Sequence, residues 1–369
     1  MRGFSKVLLA TIFSLLSVLS LVVVACAPAA APAVKPEPTP PGMVNSALGP
    51  ISPDKLGVTL VHEHLAWAYP GYEADATIAP YDREAALQAG LKACEAAKAA
   101  GIQTIIDATT NDVGGRDSLL YRELSKKTGI NIIFATGLYT EKEGAPAYWK
   151  TRMALFGKDP SNMISELFIK EITEGVGITG IKAGVIKVGS SPEMTDYEKA
   201  VHKAAVIAQK ATGVPIITHT DGPTGGVEQA EFLLSQGADP KKVMIGHVTN
   251  SKDINYHKAI LQKGVSLGFD RLGLAPLYGV PDSVSVQNIV TLCKEGYVNK
   301  IMLSQDTVNF WLGRPLSADA PQAMVQLLSK WTIDHVSKDI IPALKAQGVT
   351  DDQIKTIMVE NPKNLFLGK

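Results

Sequence analysis

Apolar residues along this chain fall into two rhythms that take turns. From Leu56 onward, short β-rich runs alternate with longer amphipathic stretches about eight times. The short runs predict strands at 56–62, 103–108, 131–136, 181–188, 214–219, 243–247, 264–269 and 300–305. The longer ones predict helices around 82–100, 116–128, 161–173, 195–212, 226–236, 251–263, 284–296 and 322–347. Strands separated by helices return to one sheet edge only through crossovers, which demands a parallel sheet. Eight such units in roughly 320 residues fit a (β/α)8 TIM barrel better than an open sheet, and no Gly-x-Gly-x-x-Gly follows the first strand. Gly101, Gly129, Gly213, Gly237 and Gly264 stand where helices must stop before a strand. A closing helix is expected over Asp351–Glu360, ended by Asn361-Pro362.

The first residues follow neither rhythm. Arg2 and Lys6 make a positive start, 7–24 is a nearly uninterrupted apolar run, and Val23-Val24-Ala25-Cys26 sets small or aliphatic residues before a cysteine. That junction resembles a bacterial lipobox, which implies a signal peptide over 1–25, lipidation of Cys26 and an exported, membrane-anchored lipoprotein. An uncleaved helix that just spans a bilayer is the alternative. Residues 26–42, rich in Ala and Pro, cannot bury an apolar face and predict an extended linker. The barrel domain is then expected over 43–369.

With 46% hydrophobic and 20% charged residues in 369, the chain has material for a large core. Thirty-six basic residues against 36 acidic ones give no electrostatic case for nucleic acid. Three cysteines cannot form a disulfide framework, and Cys94 and Cys293 fall in predicted helices as buried thiols.

In a barrel of this kind chemistry sits at the C-terminal ends of the strands. The first strand ends in Val61-His62-Glu63-His64, and alternation points His62 and His64 one way and Glu63 the other. Lys187 lies on the fourth strand, His219 ends the fifth, His247 the sixth, and Asp306 follows the eighth. Each histidine alone fits a hydrogen-bonded core residue and Asp306 alone fits a helix cap; together they are hard to explain as packing. Lys187 on an apolar strand would carry an unpaired buried charge. An ion pair would rescue it, as would uptake of carbon dioxide by the neutral amine to form a carbamate that bridges two metal ions.

Thr-Leu-Val-His-Glu-His, Ala-Thr-Gly-Leu-Tyr, Gly-Val-Ile-Lys-Val, Gly-Val-Pro-Ile-Ile-Thr-His-Thr, Ile-Gly-His and the late Asp306 occur in this order. The pattern resembles the phosphotriesterase family of the amidohydrolase superfamily from about Met43 to Lys369. The resemblance implies a binuclear centre, with His62, His64 and Asp306 on the more buried metal and His219 and His247 on the more exposed one. Carboxylated Lys187 and a hydroxide would bridge the two. Nitrogen and oxygen ligands suit zinc, and also manganese, cobalt or iron. The implied reaction is attack of that hydroxide on a small-molecule ester, lactone or phosphotriester, with Asp306 accepting its proton.

Within the family, Tyr139 resembles the tyrosine of the lactonases, where phosphotriesterases tend to carry tryptophan, and Arg271 resembles the lactonase arginine, where phosphotriesterases have histidine. Both lean towards a lactone, with triester hydrolysis secondary. Plainer readings are a rim aromatic for Tyr139 and an ion pair with Asp270 or another loop carboxylate for Arg271. Asn250 stands where phosphotriesterases carry a proton-relaying aspartate, and an amide cannot accept that proton. Trp311, in the loop 307–321 expected to roof the pocket, would stack on an acyl chain, or pack on the barrel or at a dimer contact. The resemblance also implies a homodimer. His202, His257 and His335 fall in helical segments as surface or packing residues. A tethered solute-binding barrel without catalysis is the competing reading, and the complete ligand set speaks against it.

Overall fold

A two-stranded antiparallel hairpin, β1 (Val44–Ser46) and β2 (Gly49–Ile51), is the first regular element among the described residues. Three-residue strands offer too few positions for a period to show in sequence. The computed structural model describes residues 39–144, 147–156, 159–314, 326 and 328–369. The expected signal peptide, Cys26 and most of the linker therefore lie outside the described residues. Among the described residues no helix is long and apolar enough to cross a membrane.

Eight strands follow: β3 (Thr59–Glu63), β4 (Thr104–Asp107), β5 (Asn131–Leu138), β6 (Val185–Ser190), β7 (Ile216–Thr220), β8 (Val243–Ile245), β9 (Ser266–Phe269) and β10 (Ile301–Leu303). They pair in parallel in chain order. Past their ends β3 and β10 meet: the Asp306 amide donates to the His62 carbonyl at 3.0 Å, that of His64 to Thr307 at 2.8 Å and that of Trp67 to Phe310 at 2.9 Å. All eight strands expected from the sequence are present, with ends displaced by a few residues, and helices stand between them as a (β/α)8 barrel requires. The helix Asp196–Thr212 shows how local chemistry sets such an element. Thr195 and Glu198 form a reciprocal cap at its start, and Gly213 closes it at φ 75°.

Two helical expectations need correction. Residues 322–347 do not form one helix: Leu328–Lys330 is a single tight turn, residues 331–334 are not helical, and a helix resumes through Val336–Ile340 to Ala346. Tertiary bonds hold the break, because the Trp331 indole N–H donates to the Gln305 carbonyl at 2.9 Å and the Gln305 amide to Ile333 at 2.7 Å. Nor does Asn361-Pro362 end the closing helix, which continues through Asn361–Leu367. A π-turn at Thr356–Glu360 precedes that proline, as one at Val336–Ile340 precedes Pro342. Widening the turn makes room for a ring that cannot donate a hydrogen bond.

Inside the barrel Val61, Ile106, Ile133, Val185, Ile217, Met244 and Met302 pack together, with Val44, Leu365 and Phe366 in the same cluster. The hairpin and the last helix thus plug the N-terminal end of the strands, and the opposite end stays open for side chains.

Candidate metal centre

Simple alternation along β3 would turn Val61 inward and His62 outward. The register prevents this. Leu60 lies opposite Ile105 and Glu63 opposite Asp107, so Val61 and His62 together face the single residue Ile106. This bulge lets both point into the barrel, while Glu63 faces away from the histidines. Asp107 fixes the exit of the strand by accepting the Leu65 amide at 2.8 Å.

Four histidines converge, each held by the nitrogen that faces away from the centre. His62 Nδ1 lies 2.8 Å from Asp270 Oδ2 and His247 Nδ1 3.0 Å from Asp270 Oδ1. His64 Nδ1 lies 2.8 Å from the Thr109 hydroxyl, and His219 Nε2 2.7 Å from Asp221 Oδ1. Hydrogen bonds of this kind fix the tautomer and leave one lone pair pointing inward. Those inner atoms gather. Asp306 Oδ1 is 3.2 Å from His62 Nε2 and 3.1 Å from His64 Nε2, and His247 Nε2 is 2.8 Å from His219 Nδ1. Separations near 3 Å are those of atoms sharing one ion about 2 Å from each. Burial pulls His62 and His247 well below the usual histidine range and His219 down to about 4, so these rings are neutral donors. His62, His247 and Asp270 also lie close enough to hold an ion. The Nδ1 contacts to Asp270 already occupy that side, which makes Asp270 a support for two rings.

Lys187 is buried with its amine 2.9 Å from His62 Nε2 and 3.2 Å from the Thr218 carbonyl. Among the described residues no carboxylate oxygen is within ion-pair distance of it, so the ion-pair alternative is not realised. Burial draws the amine towards its neutral form. Its neighbour Gly137 sits at φ 155°, and a Cβ there would fall 1.6 Å from the Lys187 carbonyl oxygen.

Asp306 and His247 adopt positive φ, 57° and 59°, and among the described residues they are the non-glycine positions that do so. Strain of this kind persists only where surroundings impose it. For Asp306 the imposing group is Glu63, whose buried carboxylate accepts from the Ser304 hydroxyl at 2.7 Å, the Gln305 amide at 2.9 Å, and the Thr307 amide at 2.8 Å and hydroxyl. Burial pushes the carboxyl of Asp306 up, but the Arg271 guanidinium paired with it pulls the other way, and it lies well below the usual range.

A cavity of about 500 Å³ opens over these atoms, and Tyr139, Arg271 and Trp311 line it with His62, His64, His219 and Asp306. The Tyr139 hydroxyl lies 3.0 Å from His219 Nδ1. Arg271 pairs with Asp306, Nε to Oδ2 2.9 Å, and its guanidinium lies 4.2 Å from the Tyr278 ring centre; of its expected partners it thus takes a loop carboxylate other than Asp270. Trp311 meets Trp67 edge to face, with ring centres 5.2 Å apart. Of the expected roof, residues 315–321 lie outside the described residues. Asn250 is buried, and among the described residues its side-chain amide has no hydrogen-bond partner. His202, His257 and His335 are buried packing residues, as are Cys94 and Cys293.

The structure thus brings together every candidate ligand singled out in the sequence and adds Asp270, Asp221, Thr109 and Glu63 as their supports. Glu63 stood out only as the residue between two histidines. Asp221 repeats the strand period two residues after His219, a signal that was there to be read. Asp270 and Thr109 carry none.

A family model described as "Phosphotriesterase family" matches residues 42–366. An aryldialkylphosphatase of Saccharolobus solfataricus is 34% identical over 316 residues, covering 84% of this chain and 95% of its own. Among solved structures, an organophosphorus hydrolase from Deinococcus radiodurans superposes with a TM-score of 0.85 at 42% identity, over 91% of this chain and 100% of its own. A mutant of a Deinococcus radiodurans PTE-like lactonase gives 0.84 at 42% identity, over 88% and 99%.

Proposed function

Because the chain belongs to the phosphotriesterase family of metal-dependent hydrolases, we propose that its centre takes two divalent cations and hydrolyses a lactone, with phosphotriesters as secondary substrates. His62, His64 and Asp306 would hold the inner cation, His219 and His247 the outer one, and Lys187, carboxylated by carbon dioxide, both. Zinc suits the donors, as do manganese, cobalt or iron. When bound, such cations polarise the oxygen of the scissile group and acidify water. The observation that carries the reading is the outward pinning of all four imidazoles, which leaves their free lone pairs facing Asp306 or one another.

The chain's own residues supply the rest. Asp306, kept ionised by its neighbours, accepts a proton from the attacking water. Arg271 and Tyr139, at the cavity wall, donate hydrogen bonds to a ring ester and its developing oxyanion. Asn250, buried three residues after His247, is an amide and cannot take up that proton as a base. Kinship with an aryldialkylphosphatase supports the second reading, a phosphotriesterase proper.

We further read the chain as an exported lipoprotein anchored through Cys26 and, by kinship, as a homodimer. Mass spectrometry of the mature N-terminus should find a diacylated Cys26, and an intact Met1 would exclude it; light scattering tests the dimer. For the activity, kcat/KM of the metal-loaded protein on acyl-homoserine and aliphatic lactones is compared with that on an aryl phosphotriester, with Asp306→Asn as blank. Lactones faster by orders of magnitude support the roles of Tyr139 and Arg271. A triester preference removes those roles and leaves the centre standing.

A further inference from the structure

Three of the four site histidines are steadied by fully buried residues, Asp270 and Thr109. His219 is the exception. Its Nε2 meets Asp221, whose side chain is 26% exposed and lines the cavity. Asp221 is the first residue beyond β7, and its amide donates to the Ser190 carbonyl at 3.0 Å, which continues the pairing with β6. Residues 219 and 221 therefore share a face, and the carboxylate reaches back to the ring.

The other side of the ring is ambiguous without it. His219 Nδ1 has two neighbours, the Tyr139 hydroxyl at 3.0 Å and His247 Nε2 at 2.8 Å, and either can accept a proton from it. A ring with Nδ1 protonated would present no lone pair to an ion. An ionised carboxylate only accepts, so at Nε2 it demands the N–H there and leaves Nδ1 bare.

We propose that Asp221 is the positioning residue of the outer cation: it fixes His219 in the tautomer whose Nδ1 faces the centre, and so sets the hold on the second ion but not the first. This rests on the binuclear reading above. The inner group, His62, His64 and Asp306, has no contact with Asp221, so its affinity should be indifferent to the substitution.

The test compares wild type, Asp221→Asn and Asp221→Ala, each loaded with zinc and dialysed against a graded series of chelator. Wild type should keep two zinc ions per chain, which checks the binuclear reading independently. In Asp221→Ala the second ion should be lost at about 10- to 100-fold lower chelator while the first is retained, a loss typical of removing the partner of a ligand histidine. Asp221→Asn should fall between, because an amide can accept from Nε2 or donate to it. Nitrogen chemical shifts of the metal-free proteins give a second readout: the His219 ring should carry its proton on Nε2 in wild type and as a mixture in Asp221→Ala. Equal loss of both ions, or wild-type retention of both with an unchanged tautomer, would overturn the proposal. Fewer than two ions on wild type would instead overturn the binuclear reading and this inference with it.

Discussion

The carboxylate of Glu63 accepts both the amide and the hydroxyl of Thr307, and through that loop it fixes the backbone of Asp306 without touching its side chain. Four donors converge on this one buried group. In Glu63→Gln an N–H₂ replaces one acceptor and faces donors. Stability should fall by about 2–4 kcal/mol in urea unfolding. The folded remainder should lose kcat by about tenfold or more with KM little changed. A folded variant with full kcat would show that Asp306 keeps its positive φ by other means.

Gly137 and Lys187 face each other across β5 and β6 with no room for a methyl group. Gly137→Ala must push backbone from backbone in the middle of the sheet. We expect a loss above about 4 kcal/mol, in the range reserved for overpacked cores and strained backbone. Near-normal chemical denaturation would mean that the two strands slide apart cheaply.

The amine of Lys187 is buried, and among the described residues no counter-charge is in ion-pair reach. In Lys187→Met a side chain of similar length fills the same hole, so the metal-free protein should be as stable as wild type or more so, by up to about 1–4 kcal/mol. Metal per chain and turnover should collapse together. Native mass spectra of wild type should show the added mass of one carbon dioxide, and its absence from active, metal-loaded protein would remove the carbamate. A destabilised metal-free variant would make the amine a structural element.

His335 joins two segments, with Nε2 2.8 Å from Asp282 and Nδ1 2.8 Å from Asp339. Burial alone would lower its affinity for a proton, but the two carboxylates prevail and raise it. A histidine raised in the folded state stabilises fully below its unfolded value near 6.5, and that share fades as pH rises through the folded value. The gap in melting temperature between wild type and His335→Gln should therefore be widest in mild acid and narrow above neutrality. A gap that widens with pH would reverse the sign and the assignment.

How much of this could be read in the sequence depends on distance along the chain. Eight alternations of strand and helix were enough for the barrel, and residues at strand ends were enough to single out the side chains that converge at its mouth. What escaped lies in relations that have no spacing. Asp270 serves His62 across 208 residues and His247 across 23, so no local pattern marks it as a shared support. The bulge escaped for the opposite reason, since Leu60-Val61-His62 reads as plain alternation and only the partner strand reveals the extra residue. Positive φ at His247 and Asp306 is likewise imposed from outside, by Asp270 accepting the His247 amide and by Glu63. Trp331 and Gln305 broke a helix that propensity favoured.

The hairpin at the sealed end of the barrel also gives the molecule a handle and a heading. Thr39 bonds Asn45, and the Asn45 side chain donates to the Ala183 carbonyl just ahead of β6, so the described residues open at this end. The cavity over the candidate metal centre opens at the other end. Solutes would reach it from the open side, and immobilisation by the N-terminus should leave turnover intact where coupling through the loop around Trp311 would block it.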